Sequence, residues 1–446
     1  VPMPPQPPSP RTAPVRTAHD RTPPGVPGFS ALLPYWPVTL AALLGWFLDA
    51  FDQTTLLFTM PDIAHDLGCS LAALGSVLMA QAVGRALGNA GWGWLADRFG
   101  RKPAFMLGVL WFSVFTALTG LSHSLLMLMV VQFMGGIGFG GTWTASATLL
   151  MESVPERLRP MASALMMSGY ELGYLVAAAA QALILPHYGW RVLFFIGLLP
   201  ALLSFFIRLF VSESPAWRHV RQDRAEAGKA KTGNTGKPHR TPLSWTPAAL
   251  QAVLFMTFLE FQKAAIYTFY PTVLRGTHHL DPQQVFWPVS LYCVGSFLGK
   301  LLCGVVATRL GNTRVMLCAL GLSAAMIWPF LCAPDWPLLL GSAFVMGMAA
   351  SGIFALVPDW LAERFPAAQR SFGMGLSYAI GSLGQGVASK LIPYLGRTPA
   401  TLPLVAVGLV LSSSAAAAVT LLYRPPLTEG LADEAGSEEV SAPSGR

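Results

Sequence analysis

Apolar stretches long enough to cross a bilayer alternate along this chain with short polar connectors. A membrane helix takes about 20 residues at 1.5 Å rise per residue. Runs of that kind fall near 38–60, 71–95, 104–122, 125–150, 161–185, 190–211, 247–270, 283–307, 314–332, 337–358, 372–394 and 400–423. In lipid each backbone polar group must be satisfied within its own segment or a closed barrel, so the pattern predicts twelve helices. A polar stretch, 212–245, follows the sixth run and carries Arg218, Arg221, Arg224, Lys229, Lys231, Lys237 and Arg240. It is expected to link two six-helix bundles, 37–211 and 246–424. Residues 1–36 hold ten prolines among the first thirty and no signal-type apolar stretch, and 425–446 are polar and mostly acidic. Both are expected to be disordered tails.

The two halves repeat. A shift of 211 residues carries Gly84, Gly88, Gly93, Arg98 and Gly100 onto Gly295, Gly299, Gly304, Arg309 and Gly311. The same shift carries Gly136 and Gly141 onto Gly347 and Gly352, and Glu152, Pro155 and Arg159 onto Glu363, Pro366 and Arg370. Phe47-Leu48-Asp49 lands on Phe258-Leu259-Glu260. The fold class that follows is an all-α membrane protein of two pseudo-symmetric six-helix bundles, with a site expected at the midplane between them.

Composition narrows the classes further. Hydrophobic residues make up 53% and charged residues 11%, against about 25% charged in soluble domains. That argues against soluble enzymes and nucleic-acid readers. The net charge of +7 is a matter of topology. Connectors after even-numbered runs, with their flanks, carry sixteen Lys/Arg, and those after odd-numbered runs carry three, Arg191, Arg275 and Arg397. By the positive-inside rule both termini are expected to be cytoplasmic. Neither the five cysteines nor the eight histidines show metal-ligand spacing, so no metal or cofactor is expected.

Gly93-Trp94-Leu95-Ala96-Asp97-Arg98-Phe99-Gly100-Arg101-Lys102 resembles the loop signature between the second and third helices of the major facilitator superfamily. Glu152, Pro155 and Arg159, with Glu363, Pro366 and Arg370, resemble that superfamily's charge clusters after helices four and ten. By resemblance, these residues lock the cytoplasmic side when the transporter faces outward. Leu48-Asp49-Ala50-Phe51-Asp52 resembles the paired-Asp motif of proton-coupled organic-acid symporters. Arg85 ahead of Asp97, the stretch Gly189–Pro200, and Ser168-Gly169-Tyr170 with Gly173 are similar to sialate and lactate permeases. The chain departs from those patterns in having Gln132 at the superfamily's helix-four Arg position and Thr142 where sialate-type proteins have Glu. It also has Glu171 in place of a small residue and Ala50 inside the paired-Asp motif. The resemblance implies proton-coupled uptake of a small organic anion, lactate-like or sialate-like, by a monomer in the bacterial inner membrane.

Ionisable residues inside membrane segments cost about 2.5–3.5 kcal/mol each and persist where they pair or line a wet cavity. Asp49, Asp52, Arg85, Glu171, Glu260, Lys263 and Lys300 are such residues. Asp49 and Asp52 share a helix face at i,i+3, as do Glu260 and Lys263. Gln81, Arg85 and Asn89 form a stripe on segment two, matched on segment eight by Tyr292, Ser296 and Lys300. Tyr170 and Tyr174 flank Glu171, and Tyr378 and Gln385 lie on segment eleven. The substrate site is expected to draw on Arg85, Gln81, Asn89, Tyr170, Tyr174, Tyr378 and Gln385. Proton coupling is expected from Asp49, Asp52, Glu171, Glu260 and Lys263, with Arg85 holding the substrate carboxylate. Lys300 is read as reaching toward the cytoplasmic interface.

The glycines of Gly135–Gly141 predict close helix packing rather than a phosphate loop. Rival functions are an aromatic-acid/proton symporter, which ring-stacking aromatics along the cavity would favour, efflux of a cationic compound, and a sensor that does not transport. Expected partners are a small organic acid, protons and the lipid bilayer, and no nucleic acid.

Overall fold

The computed structural model describes residues 29–69, 71–198, 200–230, 246–280, 282–396, 398 and 400–423. Residues 1–28 of the first expected tail, Arg424 with the whole of the second tail 425–446, and 231–245 of the linker lie outside the described residues. Within them the first half contains α1 (Trp36–Leu67), α2 (Leu71–Phe99), α3 (Arg101–Thr119), α4 (Leu125–Ser153), α5 (Arg159–Ile196) and α6 (Pro200–Phe210). A linker helix, α7 (Pro215–Ala230), follows. The second half contains α8 (Pro247–Lys263), α9 (Tyr270–Gly276), α10 (Pro282–Leu310), α11 (Asn312–Cys332), α12 (Trp336–Met346), α13 (Gly352–Phe354), α14 (Val357–Ala362), α15 (Arg370–Leu395) and α16 (Thr401–Leu422). A π-helical turn, Ala264–Thr268, joins α8 to α9, and another, Gly347–Ser351, joins α12 to α13. Eight described helices are long and apolar enough to cross a bilayer by length and composition.

Local chemistry sets the helix ends. Ser124 caps α4 by accepting the N–H of Met127, and Thr246 caps α8 by accepting that of Ala249, with Pro247 just inside. Gly68 ends α1 in the left-handed region at φ 61°, its N–H donating to the last-turn carbonyls. Gly189, at φ 74° and ψ 172°, breaks α5 into a long span and a short re-entry, which places the boundary between the fifth and sixth runs.

Three points differ from the sequence reading. Residues 29–35, assigned to the disordered tail, form a 3-10 turn leading into α1. Helix α1 runs to Leu67 because the polar turn Pro61–Asp66 ends the apolar run without ending the helix. The linker opens with the charged helix α7.

Helix pairing reflects the repeat. In the first half α1 packs on α5 and α2 on α4, and in the second α8 packs on α15 and α10 on α12. The halves meet along two mated seams, α2 with α15 and α5 with α10. The largest apolar core spans both halves at the end where α1 begins and α16 finishes, joining residues such as Ala145, Met161, Phe255 and Trp360. At the opposite end each half has its own core, one around Leu56, Ile63 and Trp190, the other around Tyr270, Phe330 and Val410. The halves are therefore fused at the end where α1 begins and α16 finishes, and a cavity lies between them beyond that floor.

Candidate functional site

The α2/α4 seam explains where the polar stripe of α2 goes. A Cβ on Gly136 would strike the backbone of Gln81 and Arg85, and one on Gly140 the backbone of Arg85 and Asn89. The glycine run of α4 thus lets the two backbones touch along that stripe. Gln81 consequently donates to Gln132 at 2.9 Å, and Asn89 accepts from Thr144 at 3.2 Å, both buried. Neither reaches the cavity, contrary to the expected substrate role. Gln385 is half-buried on α15, also outside the cavity wall. Among the side-chain bonds described for the stripe, that of Arg85 reaches past α4, to Asp49 of α1 at 2.6 Å, while its guanidinium lies 5.0 Å from the Phe139 ring of α4. It is near enough to Tyr170 and Tyr378 to act on them electrostatically, but Asp49 already holds it.

The cavity comprises about 790 Å³ of space between atoms, including its mouth. Its wall takes Trp46 from α1, Tyr170, Glu171 and Tyr174 from α5, and Gln262 and Lys263 from α8. Tyr267 and Ser351 come from the two π turns, Tyr292, Cys293, Ser296 and Lys300 from α10, and Tyr378 from α15. Such turns shift side chains off the regular helical stripe and recur at functional sites. The aromatics form a connected floor: Trp46 lies 5.6 Å from Tyr170 and 6.4 Å from Trp143, which in turn lies 4.3 Å from Tyr378 across the halves. The Trp46 indole N–H finds no hydrogen-bond acceptor among the described residues.

Of the seven charges in the membrane segments, Glu171, Lys263 and Lys300 line the cavity, and three ion pairs account for six of the seven. Arg85 holds Asp49, Lys263 bonds Glu260 at 3.3 Å, and Lys300 bonds Glu171 at 2.6 Å. Asp52, 3% exposed, has no basic partner among the described ion pairs, and its Oδ1 has no hydrogen-bond partner among the described residues. The expected direction of Lys300 is corrected. It is 4% exposed, ten residues or about 15 Å before the end of α10. An anion on α5 stands closer than any interface, so its ammonium turns inward to Glu171.

The fused end carries the charged motifs. Asp97 accepts the N–H groups of Ser371 and Phe372, at 3.2 and 2.8 Å, and so caps the start of α15 from across the halves. Arg101 is fully buried, bidentate to Glu152 at 3.1 and 3.2 Å, paired with Asp97, and bonded to the Ala367 carbonyl at 2.6 Å. Arg370 reaches Glu152 at 3.3 Å, completing a network across both halves. Gly93 lies against Ser371 and Phe372 of α15.

Other members of the motifs act within one half. Lys102 donates to the Arg208 carbonyl, and Gly100 lies against Glu213. Arg159, just past Pro155, pairs with Glu156. Glu363, three residues before Pro366, bonds Asn312 and Arg364. Arg98 is exposed and lies over the Trp94 and Phe99 rings instead of bridging the halves. Sequence reasoning missed Glu213, which accepts the N–H of Arg101 and Lys102 at the start of α3, and Ser214, whose hydroxyl donates to Glu152. It also missed the buried Asp359, bonded by Asn312 at 2.7 Å. These lie in or beside polar connectors, where a charge is ordinarily solvated and gives no periodic signal.

Comparison with known proteins agrees with this architecture. The sequence profile of the Major Facilitator Superfamily matches twice, over residues 42–262 and 252–444. The chain is 31% identical over 353 residues to the probable 4-methylmuconolactone transporter of Cupriavidus pinatubonensis, covering 78% of this chain and 80% of that protein. It is 27% identical to the cis,cis-muconate transport protein of Acinetobacter baylyi, covering 81% and 87%. It is 28% identical to the sialic acid transporter NanX of Escherichia coli, covering 80% and 86%. Among solved structures, the proton:xylose symporter XylE bound to 6-bromo-6-deoxy-D-glucose superposes with a TM-score of 0.69 at 19% identity, covering 87% of this chain and 94% of that one. With its duplicated six-helix bundles, its mated seams and its charged motifs at the fused end, the chain belongs to the major facilitator superfamily, as a multi-pass membrane transporter and not an enzyme.

Proposed function

We propose that the chain is a proton-coupled importer of a small organic acid bearing a conjugated or aromatic skeleton, working by alternating access in the bacterial inner membrane as a monomer with both termini cytoplasmic. The observation that carries this reading is the aromatic wall. Trp46, Tyr170, Tyr174, Tyr267, Tyr292 and Tyr378 face one cavity that also holds Lys263 and Lys300. Flat rings stack favourably on such a wall, and hydroxyl and indole groups offer donors at its edges. Two relatives are described as muconolactone and muconate transporters, which supports a planar unsaturated acid over lactate. A sialate-like acid is the second reading, supported by the sialic acid transporter among the relatives.

Proton coupling follows from charge. Asp49, Asp52, Glu171 and Glu260 face three bases, so the site carries one surplus negative charge when all are ionised. An incoming anion adds another, in a medium where unpaired charge is costly. One proton per substrate carboxylate, one for benzoate and two for the dianion cis,cis-muconate, removes that cost, and the loaded transporter can rock at the same net charge as the empty one. The test is uptake into proteoliposomes with an alkaline interior, against cis,cis-muconate, benzoate, sialate and lactate. Accumulation of muconate and benzoate, abolished by a protonophore, is the expected result. Preference for sialate would establish the second reading, and no accumulation of any acid would refute both.

A further inference from the structure

Resting on that reading, we infer that Lys300 is the dock for the substrate carboxylate and that Glu171 is the coupling acid it displaces. Among the described ion pairs of the cavity wall, Glu171–Lys300 is the one whose members belong to different halves. The ammonium donates to both Glu171 oxygens, at 2.6 and 2.8 Å, and to the Met167 carbonyl at 3.2 Å. Its three N–H groups are thus filled by protein. An anion can bind Lys300 only by taking the place of another acceptor. A substrate carboxylate presents the same two oxygens as Glu171 and can take over both bonds while Met167 keeps the third.

The exchange has a balanced outcome. Glu171 is left with the Ser296 hydroxyl, now at 2.6 Å, and without a base. A proton from the outer solution adds to its carboxylate, forming one O–H bond, while the Lys300 ammonium is unchanged. Other charges nearby cannot substitute without breaking their own pairs, since Glu260 holds Lys263 and Asp49 holds Arg85. Asp52, the remaining acid, lies outside the cavity wall. Tyr170 and Tyr174 on α5, and Tyr292 and Cys293 on α10, are uncharged at neutral pH in their ordinary range. So are Tyr267 in the π turn and Tyr378 on α15.

The repeat sharpens the case. Under the 211-residue shift Lys300 corresponds to Asn89 and Glu171 to Ser382. At the mated seam Asn89 lies against Gly375 through backbone contact instead. At this depth one seam is therefore a tight backbone contact and the other an ionic latch. Substrate and proton together convert the Glu171–Lys300 attraction into a neutral acid and a substrate-bound cation, releasing the seam for rocking.

Calorimetry of benzoate binding to the full chain in detergent, in two buffers of different ionisation heat, tests this. The wild type is expected to take up about one proton per benzoate at neutral pH. Glu171→Gln is expected to bind with no proton uptake and at least about tenfold tighter, because Lys300 is no longer occupied by a competitor. Lys300→Gln is expected to lose binding. The double variant Glu171→Gln/Lys300→Gln leaves no unpaired charge, so it should keep the wild-type melting temperature and still bind no benzoate. Proton uptake that persists in Glu171→Gln, or wild-type affinity in Lys300→Gln or the double variant, would overturn the assignment. A wild type that binds neither benzoate nor cis,cis-muconate would instead refute the substrate reading on which it rests.

Discussion

Asp49 and Arg85 show how a single contact can be legible while its role is not. Their presence in apolar segments predicts pairing, and they pair at 2.6 Å. Removing one partner of such a pair strands a buried charge, at about 3–5 kcal/mol, whereas removing both is far less costly. Asp49→Asn and Arg85→Gln are each expected to lower thermal stability in detergent markedly, and the double variant to recover most of it. Additive losses would show that the two side chains stabilise the protein independently. Lys300 was misread because depth along a helix says nothing about which neighbour waits at that depth, and its partner sits 129 positions away on α5. Gln81 and Asn89 were misplaced for a related reason. A polar stripe looks the same in sequence whether it faces water or a row of glycines on the next helix. Tyr170, Glu171, Tyr174 and Tyr378 line the cavity.

At the scale of elements, apolar length and glycine spacing carried nearly all of the information. Helix ends were less legible, since α1 persists beyond its apolar run and α7 forms from a charged stretch that hydropathy reads as a connector. Two seams make specific predictions. Gly140→Leu must separate α2 from α4, whose backbones meet at that position. Overpacking of this kind costs about 1–3 kcal/mol or more, so the melting temperature should fall, while the same change at Gly386, with open space around it, should have little effect. Asp97→Asn removes a charged cap worth about 1 kcal/mol from the start of α15. Cysteines placed at the fused end should then be labelled faster by a membrane-impermeant maleimide, and an unchanged rate would mean that the cap does not hold the halves together.

The described residues are fused by one core at the end where α1 begins and α16 finishes and split into two cores at the other. That is the arrangement expected of a transporter open at the split end, with the cavity accessible from there. Spin labels at Asp62 and Arg275, on the split end of each half, should move closer together when cis,cis-muconate is added at acidic pH, and stay apart without it. The duplication made the two-bundle plan legible, because one register shift aligns both halves. The state captured was not legible, since it depends on contacts between halves that neither half encodes alone. The most direct test of the central claim uses proteoliposomes with a trapped pH-sensitive dye and no imposed gradient. Adding cis,cis-muconate outside should acidify the interior only when the protein is present, as anion and proton enter together. Muconate entry without any change in internal pH, or with internal alkalinisation, would contradict the account.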